Sequence, residues 1–425
     1  MNKAVVVTGI GVVSPYGVGL ERFWSSVAAG QCAIKAWQPE GVENFPVSYA
    51  ATIDVASLKS DFPHCFPERG SIERRAVFGL IAAELAMQDA GVSRQALGNL
   101  GISVCSGVPD ADDATLARLS GLSPENAIKE LIAKRDEVVN YYGGFRCSND
   151  VLATELALRH DCTGPVINVN GACAGATQAI GLGYKSIQRG ESSAVLVGGG
   201  DSVFNIRTLS ALISLGATAT SKRFGEAICR PFDEHRAGLV PGEGAAILLL
   251  EEKSAAEKRG AKIYCEIAGY GSSLDAYKVT APHPEGTGAK ASMRNAINNA
   301  GLRPQDIGYI NAHGTSTPLN DVIESEAIEE VFGEYSHNGL LVSATKSLIG
   351  HWIASAGAPE AVATIMALKH QQVPPTINLA QADERCRLDY VAGKKRPAKL
   401  NFGLSNSFGF GGINASLIFG RYAGE

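Results

Sequence analysis

Four stretches of this chain hold residues that could do chemistry together. In Asn170-Gly171-Ala172-Cys173-Ala174-Gly175-Ala176 a cysteine stands where a short buried strand gives way to a helix of small residues. A helix N-terminus offers unpaired N–H groups and partial positive charge, which stabilise a thiolate, and the small neighbours leave a substrate room to reach the sulfur. In Asn311-Ala312-His313-Gly314-Thr315-Ser316-Thr317-Pro318 a histidine follows a strand, where parallel sheets expose catalytic groups. Lys346 and His351 lie five apart in Ser343-Ala344-Thr345-Lys346-Ser347-Leu348-Ile349-Gly350-His351, ahead of a long helix that carries Glu360. In Asn406-Ser407-Phe408-Gly409-Phe410-Gly411-Gly412-Ile413-Asn414, glycines around an aromatic ring can supply backbone N–H groups to an oxyanion, with the ring as a movable wall. Each motif alone has a plain reading: a buried apolar cysteine, a hydrogen-bonded loop histidine, a solvated lysine or a glycine-rich β-turn. Their presence in one chain is what carries weight.

To bring the four together the chain must return to one place repeatedly, and its alternation of β-rich runs with helical patterns allows that. Strands are expected at 4–8, 166–169, 194–197 and 245–250, with helices at 73–90, 174–188 and 253–259. The pattern then starts again, with strands at 262–268, 307–311 and 340–344 and near 400–404 and 415–419. Its helices fall at 288–300, 317–332 and 352–369, the last bent or delayed by Pro359. This is an α/β chain of two comparable halves, 1–252 and 253–425, with buried sheets. Residues 108–148 fit neither half and read as a helical insertion.

Composition narrows the function classes. With 425 residues the chain is long enough for two packed halves, and at 45% hydrophobic residues it describes a globular protein. A net charge of −5 provides no global basic field for nucleic acid or a membrane surface. Apolar runs of about ten residues or fewer are too short to span a bilayer. The first residues enter a strand at once and do not read as a signal peptide. Nine cysteines without a CxxC pair argue for reduced thiols in the cytoplasm, not for disulfides or zinc.

Taken together, the four motifs strongly resemble those of the elongating β-ketoacyl-acyl-carrier-protein (ACP) synthases of the thiolase superfamily. Thr163-Gly164-Pro165, Arg230-Pro231-Phe232-Asp233, Gly242-Glu243-Gly244 and Val373-Pro374-Pro375-Thr376-Ile377-Asn378 add to the match. It runs from Val5 to Phe419, with 108–148 alone matching poorly. The resemblance implies a thiolase-like fold, two βαβαβ-type halves layered α-β-α-β-α, and decarboxylative Claisen condensation with malonyl-ACP. Cys173 falls on the nucleophile that takes the acyl chain, and His313 and His351 on the two donors that act on the extender. Lys346 falls on the fixed charge beside them and Glu360 on a structural acid. The N–H groups of Cys173 and Phe410 would form the oxyanion hole, and Phe408, Phe410 and Ile413 the gate and pocket wall. Thr280, Thr315 and Thr317 match positions that meet the phosphopantetheine arm. The family needs no metal and no cofactor beyond that arm. His351 sets the chain apart from Cys-His-Cys thiolases and Cys-His-Asn chain-initiating synthases. Departures at Gly171, Ala174, Ala354-Ser355 and Ile413 surround the pocket, and favour a specialised type II polyketide or aryl-polyene pathway over housekeeping fatty-acid elongation. A non-catalytic chain-length factor is the alternative of a different class, opposed by the presence of Cys173, His313, Lys346 and His351 together. A thiolase or acyltransferase using CoA esters is a second.

Partners follow from the same resemblance. Acyl carrier proteins are acidic, so a net-acidic synthase needs a local basic patch, for which Arg69, Arg74, Arg75, Lys222 and Arg223 are candidates. A dimer is expected, of this chain alone or with a related chain-length factor. The 194–197 strand, apolar on both faces, would be its sticky edge. The insertion, ending in Tyr141-Tyr142-Gly143-Gly144, would reach the neighbour's acyl pocket.

Overall fold

Runs of valine, leucine and small residues that stay buried at nearly every position need cover on both faces, and such runs form most of the central strands. The computed structural model describes residues 3–39, 42–66, 73–109, 121–133 and 148–422. Its first five principal strands are β1 (Val5–Ser14), β2 (Leu100–Ser106), β3 (Val166–Val169), β4 (Ala194–Asp201) and β5 (Gly244–Glu252). They lie in the order β3-β2-β4-β5-β1. The next five are β6 (Cys265–Leu274), β7 (Ile307–Asn311), β8 (Leu341–Ser343), β9 (Phe402–Gly409) and β10 (Ile413–Arg421). They repeat the order as β8-β7-β9-β10-β6. Directions repeat too: the first strand of each set is antiparallel to the fifth and the fifth to the fourth, while the fourth, second and third run parallel. Val6 and Val7 of β1 pair with Glu266 and Cys265 of β6, which joins the sets edge to edge.

Helices complete five layers. α1 (Arg74–Asp89) covers β1 and β5 on one outer face, and α3 (Thr287–Ala300), flanked by α4 (Asn320–Phe332), covers β6 and β10 on the other. α2 (Gly175–Gln188) and α5 (Gly357–His370) pack against each other between the strand sets. This is the α-β-α-β-α thiolase-like layering expected. A matched glycine pair serves each outer helix. A Cβ on Gly9 or Gly11 of β1, or on Gly269 or Gly271 of β6, would fall within 2.4 Å of a helix carbonyl oxygen. Repeated order, direction and glycines are the marks of a duplication, and we propose 1–252 and 253–425 as its two units.

The structure corrects two expectations about strands. β4 does not stop before Gly198-Gly199-Gly200 but runs through them to Asp201. Bare backbone there lets neighbouring strands close in: a Cβ on Gly198 would lie 2.1 Å from the Ala246 oxygen. Nor is β4 an edge, because β2 and β5 pair with it along both sides. Among the described residues the open edge of this set is β3, paired to β2, exposed at Val166 and carrying a buried Asn168 Oδ1 without a partner. Pro359 delays its helix as expected. A separate turn forms at Ile353–Ser355, α5 starts at Gly357, and the proline sits in the first turn, where its missing N–H costs nothing. Within the insertion, helix Pro124–Ala133 is described, while Tyr141, Tyr142, Gly143 and Gly144 lie outside the described residues. The eight cysteines among the described residues are free thiols. No described helix is long and apolar enough to cross a membrane.

Candidate active site

Cys173 sits in the turn Ala172–Ala174 between β3 and α2, and is buried. Ala172 takes φ +43, a left-handed conformation that costs a non-glycine residue about 1–3 kcal/mol and is held in place by packing. The backbone N–H groups of Phe410 and of Cys173 itself favour its thiolate form. Burial pushes the thiol up to about 11, against the pull of the Lys346 charge and the Phe410 N–H. Desolvation thus outweighs the fixed donors and favours the protonated thiol at rest.

His313 follows β7, and His351 follows the short helix Lys346–Ile349. The Cys173 sulfur and a ring nitrogen from each histidine all lie within 4.8 Å of one another. The histidine rings stand nearly perpendicular, centroids 5.4 Å apart, and Phe408 meets His313 edge-on at 5.9 Å. Lys346 Nζ donates to the His313 carbonyl oxygen at 2.6 Å, to Glu360 Oε1, and toward His313 Nδ1 at 3.1 Å. All three ammonium protons are thereby used, and Nδ1 of His313 must be the unprotonated nitrogen. His351 Nδ1 accepts the Ile353 N–H at 3.0 Å. Both rings are thus assigned the same tautomer, with Nε2–H left as the donor. Burial and the Lys346 charge hold both imidazoles well below the usual histidine range, so they are neutral. Two neutral N–H donors beside a thiol suit an enolate or oxyanion better than a proton transfer.

Several of the residues expected at the site line one cleft: Cys173, Thr280, His313, Thr315, Thr317, His351, Phe408 and Phe410. Thr315 and Thr317 share a hydroxyl hydrogen bond of 2.8 Å. Lys346 and Glu360 stand behind the histidines, fully buried, and burial pushes the Glu360 carboxyl up to about 7 against the attraction of Lys346. Ile413 does not belong to the cleft wall; it opens β10 opposite Gly409. The basic patch divides. Lys222 and Arg223 are exposed, and Arg74 is partly exposed but tied to the buried Glu243 at 2.5 Å. Arg75 is a correction: it is 1% exposed, held by Glu73 and by the carbonyl oxygens of Gly107 and Ser148, and no carrier protein can reach it. Arg69 lies outside the described residues.

Three acids escaped the reading from sequence. Glu324 accepts the His313 and Gly314 N–H groups at 2.8 Å each, and Asp321 accepts those of Thr315 and Ser316 at 2.9 and 3.0 Å. Together they shape the histidine loop. Their signal was available as two acids three apart on a helix that also buries Val322 and Ile328. Asp201, at the end of β4, is the third.

Known proteins resemble this chain along nearly its whole length. Residues 2–256 match the model of the beta-ketoacyl synthase N-terminal domain, and residues 264–380 that of the C-terminal domain. The 3-oxoacyl-[acyl-carrier-protein] synthase 2 of Staphylococcus aureus (strain COL) is 33% identical over 423 residues, 99% of each chain. A type II polyketide ketosynthase, solved bound to a hexaketide and in complex with its acyl-carrier protein, superposes with TM-score 0.88 at 29% identity, covering 99% of this chain and 100% of that one. The ishigamide ketosynthase/chain length factor superposes with TM-score 0.85 at 32% identity over 100% of both chains.

Proposed function

The chain belongs to the beta-ketoacyl synthase family, and from that premise we propose how its own residues divide the work of the condensing reaction. It is a β-ketoacyl-ACP synthase, an acyltransferase-type condensing enzyme. In the first half-reaction the Cys173 thiol attacks the thioester carbon of an acyl-ACP. Its proton passes to the leaving pantetheine sulfur, so no separate base is needed. Malonyl-ACP then enters with its arm along Thr280, Thr315 and Thr317. Its C–CO2 bond breaks, the electron pair moves into the thioester, and the enolate oxygen is held by Nε2–H of His313 and His351. The enolate carbon attacks the acyl-Cys173 carbonyl. The oxyanion takes the N–H groups of Cys173 and Phe410, and collapse expels the thiolate, which takes a proton from solvent, one per turnover. The observation that carries this reading is the pair of neutral imidazoles, each with Nδ1 engaged elsewhere, that bring a ring nitrogen within 4.8 Å of the thiol sulfur. Intact mass of the protein after incubation with a panel of acyl-ACPs tests it. An adduct on Cys173, released by malonyl-ACP with loss of CO2, is expected. Loading that runs as well from CoA esters would favour a thiolase or acyltransferase.

For pathway we propose a specialised type II polyketide or aryl-polyene system in the cytoplasm. Gly171 and Ala174, both flanking Cys173, depart from the housekeeping pattern, and two structural neighbours are ketosynthases of that broader kind. A homodimer that made only ordinary fatty acids would refute it. Ile413, away from the cleft wall, lends this reading no support.

For partners we propose an acyl carrier protein and a dimer. Lys222 and Arg223 remain as docking candidates, so charge reversal at both should raise KM for the carrier protein several-fold and flatten its salt dependence, measured by steady-state kinetics. A KM indifferent to salt and to both changes would move the patch elsewhere. The dimer would close over β3, whose exposed edge and orphan Asn168 oxygen call for a partner strand of this chain or of a chain-length factor. Val166→Lys with Asn168→Lys should convert the assembly to monomers in light scattering and lower its activity. An unchanged dimer would exclude this edge.

A further inference from the structure

Behind His351 the backbone holds a conformation that must be imposed. Ile353 lies at φ +41, an outlier for a β-branched residue. Such strain persists where surrounding groups over-determine it. One of those groups is Asp201. One oxygen of its carboxylate accepts the Ala354 N–H at 2.8 Å and the other accepts the Ser202 N–H at 2.8 Å. The carboxylate is 1% exposed, and among the described residues it makes no direct ion pair, so water does not share these contacts. The chain clears space for it: a Cβ on Gly107 would fall 2.2–2.3 Å from both its oxygens.

The strained turn delivers one contact to the catalytic groups, the Ile353 N–H on His351 Nδ1 at 3.0 Å. His351's own main chain is fixed independently, its N–H to the Val240 oxygen at 2.8 Å and its carbonyl from the Gly242 N–H at 2.9 Å. What the turn adds is the ring's tautomer and aim. We propose that Asp201 is a positioning residue for the condensation: by holding the Ile353–Ser355 turn it keeps the Ile353 N–H on His351 Nδ1, and so keeps the Nε2–H of His351 directed at the thioester oxygen. This rests on the reading of His351 as an enolate donor. Asp201 touches no substrate. It acts through two backbone bonds, which is why nothing in the β4 sequence marked it.

Asp201→Ala and Asp201→Asn test the role, each made in a Cys173→Gln background where CO2 release from malonyl-ACP is followed without chain extension. Asparagine keeps an oxygen for the Ala354 N–H; alanine does not. Asp201→Ala should slow CO2 release about 10- to 100-fold, less than the ~10²–10³ expected for deleting a donor outright. Asp201→Asn should recover most of the rate. Long-range 1H–15N spectra of the histidine side chains read the tautomer directly, with the His351 signals identified by their absence in His351→Gln. Nδ1 of His351 should be unprotonated in the parent and in Asp201→Asn, and partly protonated in Asp201→Ala. An unaltered tautomer in Asp201→Ala, or equal losses in both variants, overturns the proposal. Should the alanine variant not fold, Asp201→Ser, whose hydroxyl is too short to reach Ala354, replaces it under the same criteria. If His351→Ala, which leaves no donor there, releases CO2 as fast as its parent, the enolate reading fails instead, and the spectra still decide whether Asp201 sets the tautomer.

Discussion

Replacing Cys173 by alanine should abolish condensation, a loss on the order of 10⁴-fold or more, because the acyl-enzyme cannot form. Among the described residues no substitute is at hand. Cys105 is also buried behind the turn, but its thiol is spent on the Ala354 carbonyl oxygen and it does not line the cleft. Cys173→Gln should behave differently. Its side chain resembles an acylated cysteine in size and carries a carbonyl for the N–H groups of residue 173 and Phe410. The His313 and His351 donors are untouched, so malonyl-ACP should still lose CO2 and accumulate as acetyl-ACP. Mass spectrometry of the carrier protein separates the two outcomes. Chain extension at normal rate by Cys173→Ala would sink the assignment of the nucleophile.

How far the site could be read from sequence depended on the range of the forces that build it. Groups placed by local rules were legible: Cys173 at a strand-to-helix turn, His313 beyond β7, and Pro359 marking a late helix start. β3 and β7 formed over the expected residues: β3 is a Val/Ile run bounded by Pro165 and Asn170, and β7 starts directly after the turn that Pro304 opens. What depended on long-range pairing was not legible. β4 looked like an edge because its own composition is apolar, but two strands from distant sequence flank it. Arg75 looked like surface charge until Gly107 and Ser148, 32 and 73 residues away, turned out to be its acceptors. Glu324 and Asp201 were hidden for the same reason, since Glu324 serves the His313 and Gly314 N–H groups and Asp201 the Ala354 N–H, all far from them in sequence or on another element. The thiol of Cys173 shows the energetic side of this limit. A helix terminus can be seen in sequence, but the desolvation that outweighs it comes from tertiary burial.

Removing either histidine should block decarboxylation while leaving acyl loading on Cys173 largely in place. Loading needs the thiol and the N–H groups of Cys173 and Phe410, none of which His313→Ala or His351→Ala removes. Decarboxylation places negative charge on the thioester oxygen in a buried cleft, and loss of one preorganised donor there costs about 10²–10³ in rate, or roughly 2.7–4 kcal/mol. The two variants should still differ. His313→Ala takes an acceptor from Lys346, leaving its buried ammonium with Glu360 and the residue 313 carbonyl. That variant should therefore lose thermal stability as well as rate. His351→Ala frees only the Ile353 N–H and should melt closer to the parent. His351→Asn supplies a shorter amide donor and should recover part of the CO2 release, which a purely structural role for His351 would not predict. CO2 release measured in the Cys173→Gln background, beside intact-mass loading in the Cys173 enzyme, separates these effects. Unchanged release in both alanine variants would reject the donor roles, and parallel loss of loading and release would point to a collapsed site in place of a missing donor.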